Sequence, residues 1–503
     1  MTIPIPRSLR ARVIATAAAL AVIGGLTAFV VTQAAAASGN AQTYIILYKQ
    51  GASTADASQL VSGAGGSLVA NWSEIGVVVA RSTSASFAQT VRANSKVEGA
   101  AATGNFATKI EFEEASGPLP GDAPAPNSES DTLTGLQWDM AQIHAFEAHD
   151  ISGGSPSVVV GDLDTGLDFT HPDLAPNYDA ANSTDCSSGT PQPLLPGNDA
   201  NGHGTHTAGT IAAAANGTGI VGVAPNVKIA GIKSSNDDGF FFPEMVICAY
   251  IWVASHGIDI TNNSYFADPW LYNCKNDPEQ RAIWKAERRA IQHAQQGGTL
   301  VVASQGNLSS DLSHPRIDLI SPDFPPGSDE EREITNACSV VPVEVPGVVG
   351  VTATGDLSLK AYYSDYGIST ADVAAPGGDR RFQVTPAAVN GRVLSTFPGA
   401  INCGSLGVHD PGTGANYCYL QGTSMAGPHA VGVAALIQSH TGKTGGSLAA
   451  ALRQATNPLP CPTNLTNYAG FPQQSGEPQS CQGGLGNNSW YGSGEVDALK
   501  AVS

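Results

Sequence analysis

Charge is the first thing this sequence has little of. Lys, Arg, Asp and Glu make up 13% of its 503 residues, about half the share common in globular domains. Basic residues are the scarcer sign, 24 against 43 acidic, and the net charge of −19 repels the phosphate backbone that a nucleic-acid binder must neutralise. A general nucleic-acid-binding role is excluded on that ground. Cysteine is missing from the first 185 residues, and none of the eight that follow form a C-x-x-C pair, so a thiolate zinc site of that spacing is excluded as well. Long apolar runs are missing after residue 31, which leaves nothing later in the chain that reads as a membrane span. What is abundant is glycine and proline, 57 and 32, about one residue in six. With 42% hydrophobic residues the chain is globular and turn-rich, and at roughly 150 residues per domain it is long enough for up to about three units.

The N-terminus states a compartment. Arg7, Arg10 and Arg12 precede an uncharged apolar run over residues 13–31, and Ala34, Ala35, Ala36 and Ala37 supply the small residues of a cleavage site. Residues 1–37 therefore read as an export signal. The alternative is a retained anchor, since about nineteen apolar residues is just long enough to cross a bilayer, but the alanine-rich exit without a basic stop favours removal. An even number of cysteines behind an export signal reads as disulfides formed in an oxidising compartment. Cys403 with Cys418, and Cys461 with Cys481, are near neighbours across Gly/Asn-rich loops, where closing about fifteen residues contributes roughly 3 kcal/mol. The pairing of Cys186, Cys248, Cys274 and Cys338 stays open. Residues 1–126 carry 8 basic and 7 acidic side chains, so the net negative charge belongs to the cysteine-bearing remainder.

The chain divides by composition. Residues 38–108 read as a small α+β unit, with strands at 43–48 (TYIILY) and 77–80 and helices at 52–63 and 84–94. Residues 109–132, rich in Pro and acid with little to bury, read as an exposed linker open to cutting. From 133 to 503, apolar strands at 158–161, 227–232, 258–262, 300–303 and 348–352 alternate with helices at 205–215, 244–256, 279–296 and 424–439. That alternation predicts an α/β fold, a mainly parallel sheet with helices on both faces and its chemistry at the carboxyl ends of the strands.

Three segments sit where strands or helices begin and end. VVVGDLDTGLD runs an apolar strand into Asp164, with Asp162 close enough to make the choice of carboxylate ambiguous. NGHGTHTAGT sets His203 between glycines at the start of a small-residue helix, and its spacing to His206 is not that of a helical zinc site. QGTSMAGPHA places Ser424 as a long apolar helix begins. Taken singly, each is an ordinary turn, loop or cap residue. Together, Asp164, His203 and Ser424 are the residue types that turn a hydroxyl into a nucleophile at neutral pH.

These segments identify a resemblance. The chain resembles the subtilisin-like serine proteases, whose D-T-G, H-G-T-H and G-T-S-M-A-x-P motifs match residues 164–166, 203–206 and 422–428. The resemblance covers roughly residues 133–500 and implies a subtilisin-like catalytic domain, a serine endopeptidase acting on protein or peptide substrates. VVASQGN resembles the family's segment ending in an oxyanion-stabilising Asn, which makes Asn307 that donor and Gly306 its neighbour at the substrate. ITNNSYF resembles the substrate-binding strand, implying contacts from Ser264, Tyr265 and Phe266. The unit at 38–108 resembles the family's ferredoxin-like inhibitory propeptide, an intramolecular inhibitor that the enzyme cuts away in the linker, leaving a chain that starts near 137–149. A secreted monomer, free of membrane once its signal is removed, is expected. No cofactor is needed for the chemistry.

The sequence also departs from the family. Phe266 and Ala267 stand where two glycines are common, Gln305 replaces a small residue, and 176–201, 308–336 and 377–417 read as insertions able to roof the cleft. Asp329, Glu330, Glu331 and Glu333 in the second insertion raise structural calcium against the plainer reading of a solvated acidic loop. The rival readings are a catalytically silent binding protein of the same fold, which the complete set Asp164, His203, Asn307 and Ser424 argues against, and a membrane-anchored processing protease.

Overall fold

The computed structural model describes residues 41–103, 130–267, 270–322 and 328–503. The expected export signal, and the linker over 109–129 with its expected cut, lie outside the described residues.

Residues 42–102 run β1 (Gln42–Tyr48), α1 (Ala57–Gly63), β2 (Gly66–Trp72), β3 (Val77–Ser82), α2 (Phe87–Arg92) and β4 (Val97–Ala102). The sheet order β2-β3-β1-β4, all antiparallel, is the ferredoxin-like arrangement. TYIILY is apolar without alternation because both its faces are covered. Tyr44, Ile46 and Tyr48 pack with α1 and α2, while Ile45 and Leu47, with Val77 and Val79, join the core of the large body. Both helices are shorter than their sequence pattern, and β2 and β4 were not anticipated: GSLVANW and VEGAAA hold too few β-branched residues to signal a strand.

The large body is built on a nine-stranded sheet. In chain order its elements are α3 (Trp138–Gln142), α4 (Ala145–His149), β5 (Val159–Asp164), β6 (Thr184–Asp185), α5 (His203–Ala212), β7 (Lys228–Lys233), α6 (Pro243–His256), β8 (Ile260–Asn263), α7 (Pro278–Gln296), β9 (Leu300–Ser304), β10 (Val349–Thr354) and β11 (Val373–Pro376). A hairpin of β12 (Val393–Thr396), β13 (Gly407–His409) and β14 (Asn416–Leu420) follows. The chain ends with α8 (Thr423–Thr441), α9 (Gly445–Gln454), β15 (Thr456–Asn457), β16 (Glu495–Val496) and α10 (Ala498–Val502). Strand order is β15-β16-β11-β10-β9-β8-β5-β7-β6, parallel except where β15 meets β16. The predicted doubly covered parallel sheet is what forms. Val160, Ile260, Val302 and Val351 pack under α5 and α8, and Leu163, Ile232, Val301 and Ala303 pack against α6 and α7.

The N-terminal unit rests on α7. Gly99 in β4 lies so close to Ala282 that a side chain there would meet its methyl at 2.9 Å. Around this apolar contact Arg289 donates to the carbonyls of Tyr48 and Ile75 at 2.8 and 3.2 Å, Glu98 pairs with Arg289 and Lys285, and Arg92 pairs with Glu279. Asp131 and Thr132, placed in the linker by composition, are bound to the large body: Asp131 Oδ1 accepts from Asn216 N and Gly217 N at 2.9 Å. The disulfides are Cys186–Cys248, Cys274–Cys338, Cys403–Cys418 and Cys461–Cys481. The two near-neighbour pairings expected from sequence form.

Candidate active site

β5 lies where the strand order turns, with β7 on one side and β8 on the other, and a crevice opens at the carboxyl ends of strands at such a point. Asp164 closes β5 and is fully buried. His203 is the first residue of α5, and its Nδ1 lies 2.7 Å from Asp164 Oδ1. A carboxylate oxygen only accepts, so Nδ1 carries the hydrogen and Nε2 keeps the lone pair that a base needs.

The first turn of the helix is held at this distance by the strand end and by the loop ahead of it. Gly204 lies against the strand so closely that a Cβ would sit 2.2 Å from Gly166 O, and Gly204 N donates to Thr165 Oγ1 at 2.9 Å. Asp199, buried ahead of α5, accepts from Gly202 N, Thr205 N and Thr205 Oγ1 at 2.7–2.9 Å and caps the helix. The ambiguity between the two carboxylates is resolved by contact. Asp162, on the same strand face as Asp164, accepts from Thr207 Oγ1 at 2.7 Å and Asn262 Nδ2 at 2.8 Å, tying α5 to β8. Burial, and then the charge of Asp164, push the Asp162 carboxyl well above its ordinary value.

Ser424 is the second residue of α8, which packs against α5. Pro428 has no N–H to give the carbonyl four residues before it, and Ser264 Oγ takes that place, donating to Ser424 O at 3.1 Å. In return Ser424 Oγ donates to Ser264 O at 3.2 Å. Asn307, on the exposed loop after β9, has its amide oxygen bound by both Thr423 N and Thr423 Oγ1 at 2.9 Å. That orientation leaves Nδ2 as the donor facing the crevice beside Ser424.

The loop carrying Asn307 is braced from below by Asp365. Its Oδ1 accepts from Leu308 N at 2.9 Å and Ser310 N at 2.7 Å, and its own N–H donates to Gly306 O at 2.9 Å. Gly306 has φ +118°, and a Cβ on it would meet Asp365 Oδ2 at 2.2 Å, so glycine is required there. Burial pushes the Asp365 carboxyl up to about 7 against the two N–H donors that favour its charge.

A cavity of about 250 Å³ opens beside Ser424, bounded by Ser264, Tyr265, Phe266, Gly306, Asn307 and Thr423 and lined deeper by Phe241, Leu271, Leu308, Ile320 and Val340. All four sequence-predicted substrate residues border it. Tyr265 stacks on Phe241 with ring centroids 4.2 Å apart, so its bulk forms a wall. The Gln305 amide turns to the carbonyl of Thr370. Asp329, Glu330, Glu331 and Glu333 are exposed, and among the described residues no three His, Cys, Asp or Glu side chains converge as a metal site. Among the described residues no helix is long and apolar enough to cross a membrane. Sequence reasoning missed Asp199 and Asp365. The first was signalled by an Asp just ahead of a helix start, whereas the partners of the second lie more than fifty residues upstream.

The family model for the subtilase family matches residues 155–483. Fervidolysin of Fervidobacterium pennivorans is 31% identical over 323 residues, 61% of this chain and 38% of its own, and M-protease of Shouchella clausii is 28% identical over 372 residues, 73% of this chain and 70% of its own. This chain thus spans well under half the length of fervidolysin. Among solved structures, the epidermin leader peptide processing serine protease of Staphylococcus aureus superposes with a TM-score of 0.63 at 23% identity, covering 92% of this chain and 98% of that one. At that identity the likeness is one of fold. The family match takes in Asp164, His203, Asn307 and Ser424 in order along one sheet edge, and the chain belongs to the subtilase family of serine proteases.

Proposed function

We propose that this chain is the precursor of an exported serine endopeptidase that cuts itself free of its N-terminal unit. One observation carries the reading: His203 stands 2.7 Å from Asp164 on a helix packed against the one that carries Ser424 in its first turn. Ser424 Oγ leaves the Ser264 carbonyl, gives its proton to His203 Nε2 and attacks the substrate carbonyl carbon. Asp164 holds the imidazole and balances its positive charge. The carbonyl oxygen, now negative, takes a hydrogen bond from Asn307 Nδ2, worth about 3–4 kcal/mol in the transition state. His203 returns the proton to the leaving amine, and water repeats the sequence on the acyl-enzyme.

The apolar cavity beside Ser424 receives the side chain before the cut bond, and about 250 Å³ suits a Leu, Met or Phe side chain. The ferredoxin-like unit, seated on α7 with its second apolar face shared with the large body, fits an inhibitor that must be removed. No cofactor takes part in this chemistry.

The test is covalent. A fluorophosphonate should label Ser424 of the mature protein, and Ser424→Ala should be exported as an uncut precursor without peptidase activity. Labelling elsewhere, or normal maturation of Ser424→Ala, refutes the assignment. Sequencing the N-terminus of the exported chain separates a removed signal from an anchor.

A further inference from the structure

Asp162 is a second buried acid beside the proposed triad, and the chemistry above gives it no part. It lies two residues before Asp164 on β5, on the same strand face, and is 2% exposed. Neither of its partners carries charge: Oδ1 accepts from Asn262 Nδ2 at 2.8 Å, and Oδ2 lies 2.7 Å from Thr207 Oγ1. These contacts lead to both halves of the site. Thr207 is one turn along α5 from His203. Asn262 Nδ2 also donates to Ser264 Oγ at 3.1 Å, and Ser264 Oγ donates to Ser424 O at 3.1 Å.

This carboxyl has a place for a hydrogen of its own. Thr207 Oγ1 lies 3.0 Å from Gly204 O as well as 2.7 Å from Asp162 Oδ2, and a hydroxyl has a single hydrogen to give. A carbonyl oxygen only accepts, so both contacts are hydrogen bonds when Asp162 Oδ2 carries the second hydrogen and donates it to Thr207 Oγ1. The surrounding charges act in the same direction. Asp164 and Asp199 are both acids, and each opposes a charge on Asp162. On α5, His203 is bound to Asp164, and His206 sits with Nε2 on the Cys418 carbonyl, its ring lowered by burial to about 3 and so uncharged. Lys233 on β7 stands opposite Asp164, its ammonium bound to Asn198 O and Asp237, and His429 on α8 is bound to Asp139. Two neighbouring acids with one base between them do not both ionise readily, and Asp164 holds the base.

We propose that Asp162 is an uncharged carboxylic acid that positions the helix of the base against the helix of the nucleophile, donating from Oδ2 to Thr207 and accepting on Oδ1 from Asn262. The positioning role rests on the peptidase reading; the hydrogen on Oδ2 does not. Through Thr207 the acid fixes the start of α5. Through Asn262 and Ser264 it reaches the Ser424 carbonyl that Pro428 leaves without an N–H. Its neutrality has a separate use. Side chains two apart on a strand stand about 7 Å apart, and a second carboxylate that close to the triad would hold a proton on His203 to higher pH, by about one pH unit or more. The base would then be blocked near neutrality.

Two measurements test this. In the Ser424→Ala precursor at pH 7, adding Asp162→Asn should remove one carboxylic-acid C=O band from the infrared spectrum; loss of a carboxylate band instead overturns the proposal. In matured protein, Asp162→Asn keeps an oxygen for Asn262 and supplies an N–H for Thr207. Its kcat should stay within about threefold of wild type, and the acid limb of kcat/KM, which reports His203, should not move. A limb lowered by about one pH unit or more would mean that a charge had been removed, and the neutral acid is then refuted. Asp162→Ala should lower kcat by about tenfold or more with KM changed less. Equal kcat in Asp162→Ala and Asp162→Asn removes the positioning role. Failure of the wild type to cleave any peptide overturns the peptidase reading and the positioning role with it, while the infrared band still decides the hydrogen on Oδ2.

Discussion

Asp365 touches neither His203 nor Ser424, yet its removal should slow the chemistry. In Asp365→Ala, Leu308 N and Ser310 N lose their common acceptor, a cost of about 1–3 kcal/mol for each N–H that stays buried and unpaired. The loop can avoid that cost only by shifting toward water, and Asn307 moves with it. Because Asp365 acts through Asn307, the loss in kcat cannot exceed the roughly hundred- to thousandfold that deleting the oxyanion donor itself costs. A fall of about ten- to hundredfold in kcat is expected, with KM changed less. Asp365→Asn keeps the accepting oxygen and the volume, and it resembles the uncharged acid that a carboxyl raised to about 7 offers below neutrality; it should stay within about threefold of wild type. The decisive assay is a double-mutant cycle with Asn307→Ala on one chromogenic peptide. Asp365→Ala should add little in that background, less than about threefold. Full additivity would show that Asp365 acts by another route and would refute the positioning role.

Three further outcomes follow from the geometry. Gly204→Ala forces a methyl to within 2.2 Å of Gly166 O, so α5 must move off β5; activity should fall by about a hundredfold or more, with a melting temperature lower by several degrees. Lys360, fully buried beside the rings of Tyr366, Tyr468 and Trp490, is lowered by burial to about 7. The unfolded chain therefore holds more protons between pH 7 and about 10.5, and stability gains about 5 kcal/mol across that window. In a Ser424→Ala background, Lys360→Met should abolish this rise, and identical pH profiles would refute it. Replacing Cys403 and Cys418 by Ser opens a loop of sequence separation 15 and should cost about 3 kcal/mol, with nicking inside the loop in active protein and none in the Ser424→Ala background.

What could be read in advance was what is local. Asp164, His203 and Ser424 each lie in a short motif at the end of an element, and strands of the parallel sheet such as LVVAS and VGVTAT are mostly apolar runs. β12 and β14 escaped because VLST and NYCYL carry a mixed pattern inside a Gly-rich insertion, and β2 and β4 because their residues are small. The bridges across separations of 15 and 20 residues were legible, and those across 62 and 64 were not, since only the packing of α6 and α7 brings those cysteines together. Asp365 stood unnoticed within YYSDYG, since nothing local marks a carboxylate whose partners arrive from another strand.

The sheet of the N-terminal unit has two apolar faces and one pair of helices of its own. Ile45, Leu47, Val77 and Val79 are covered only while the unit sits on the large body. Cutting the chain between them, as proposed, turns a shared core into two surfaces that water can reach. Each buried CH₂ regaining contact with water costs about 0.8 kcal/mol, a heavy loss for a body of some sixty residues whose stability is small to begin with. The detached piece is therefore driven to unfold, and an unfolded piece is an extended chain of the kind that the open cleft degrades. Activation then runs in one direction, with the lifetime of the shared core acting as its clock.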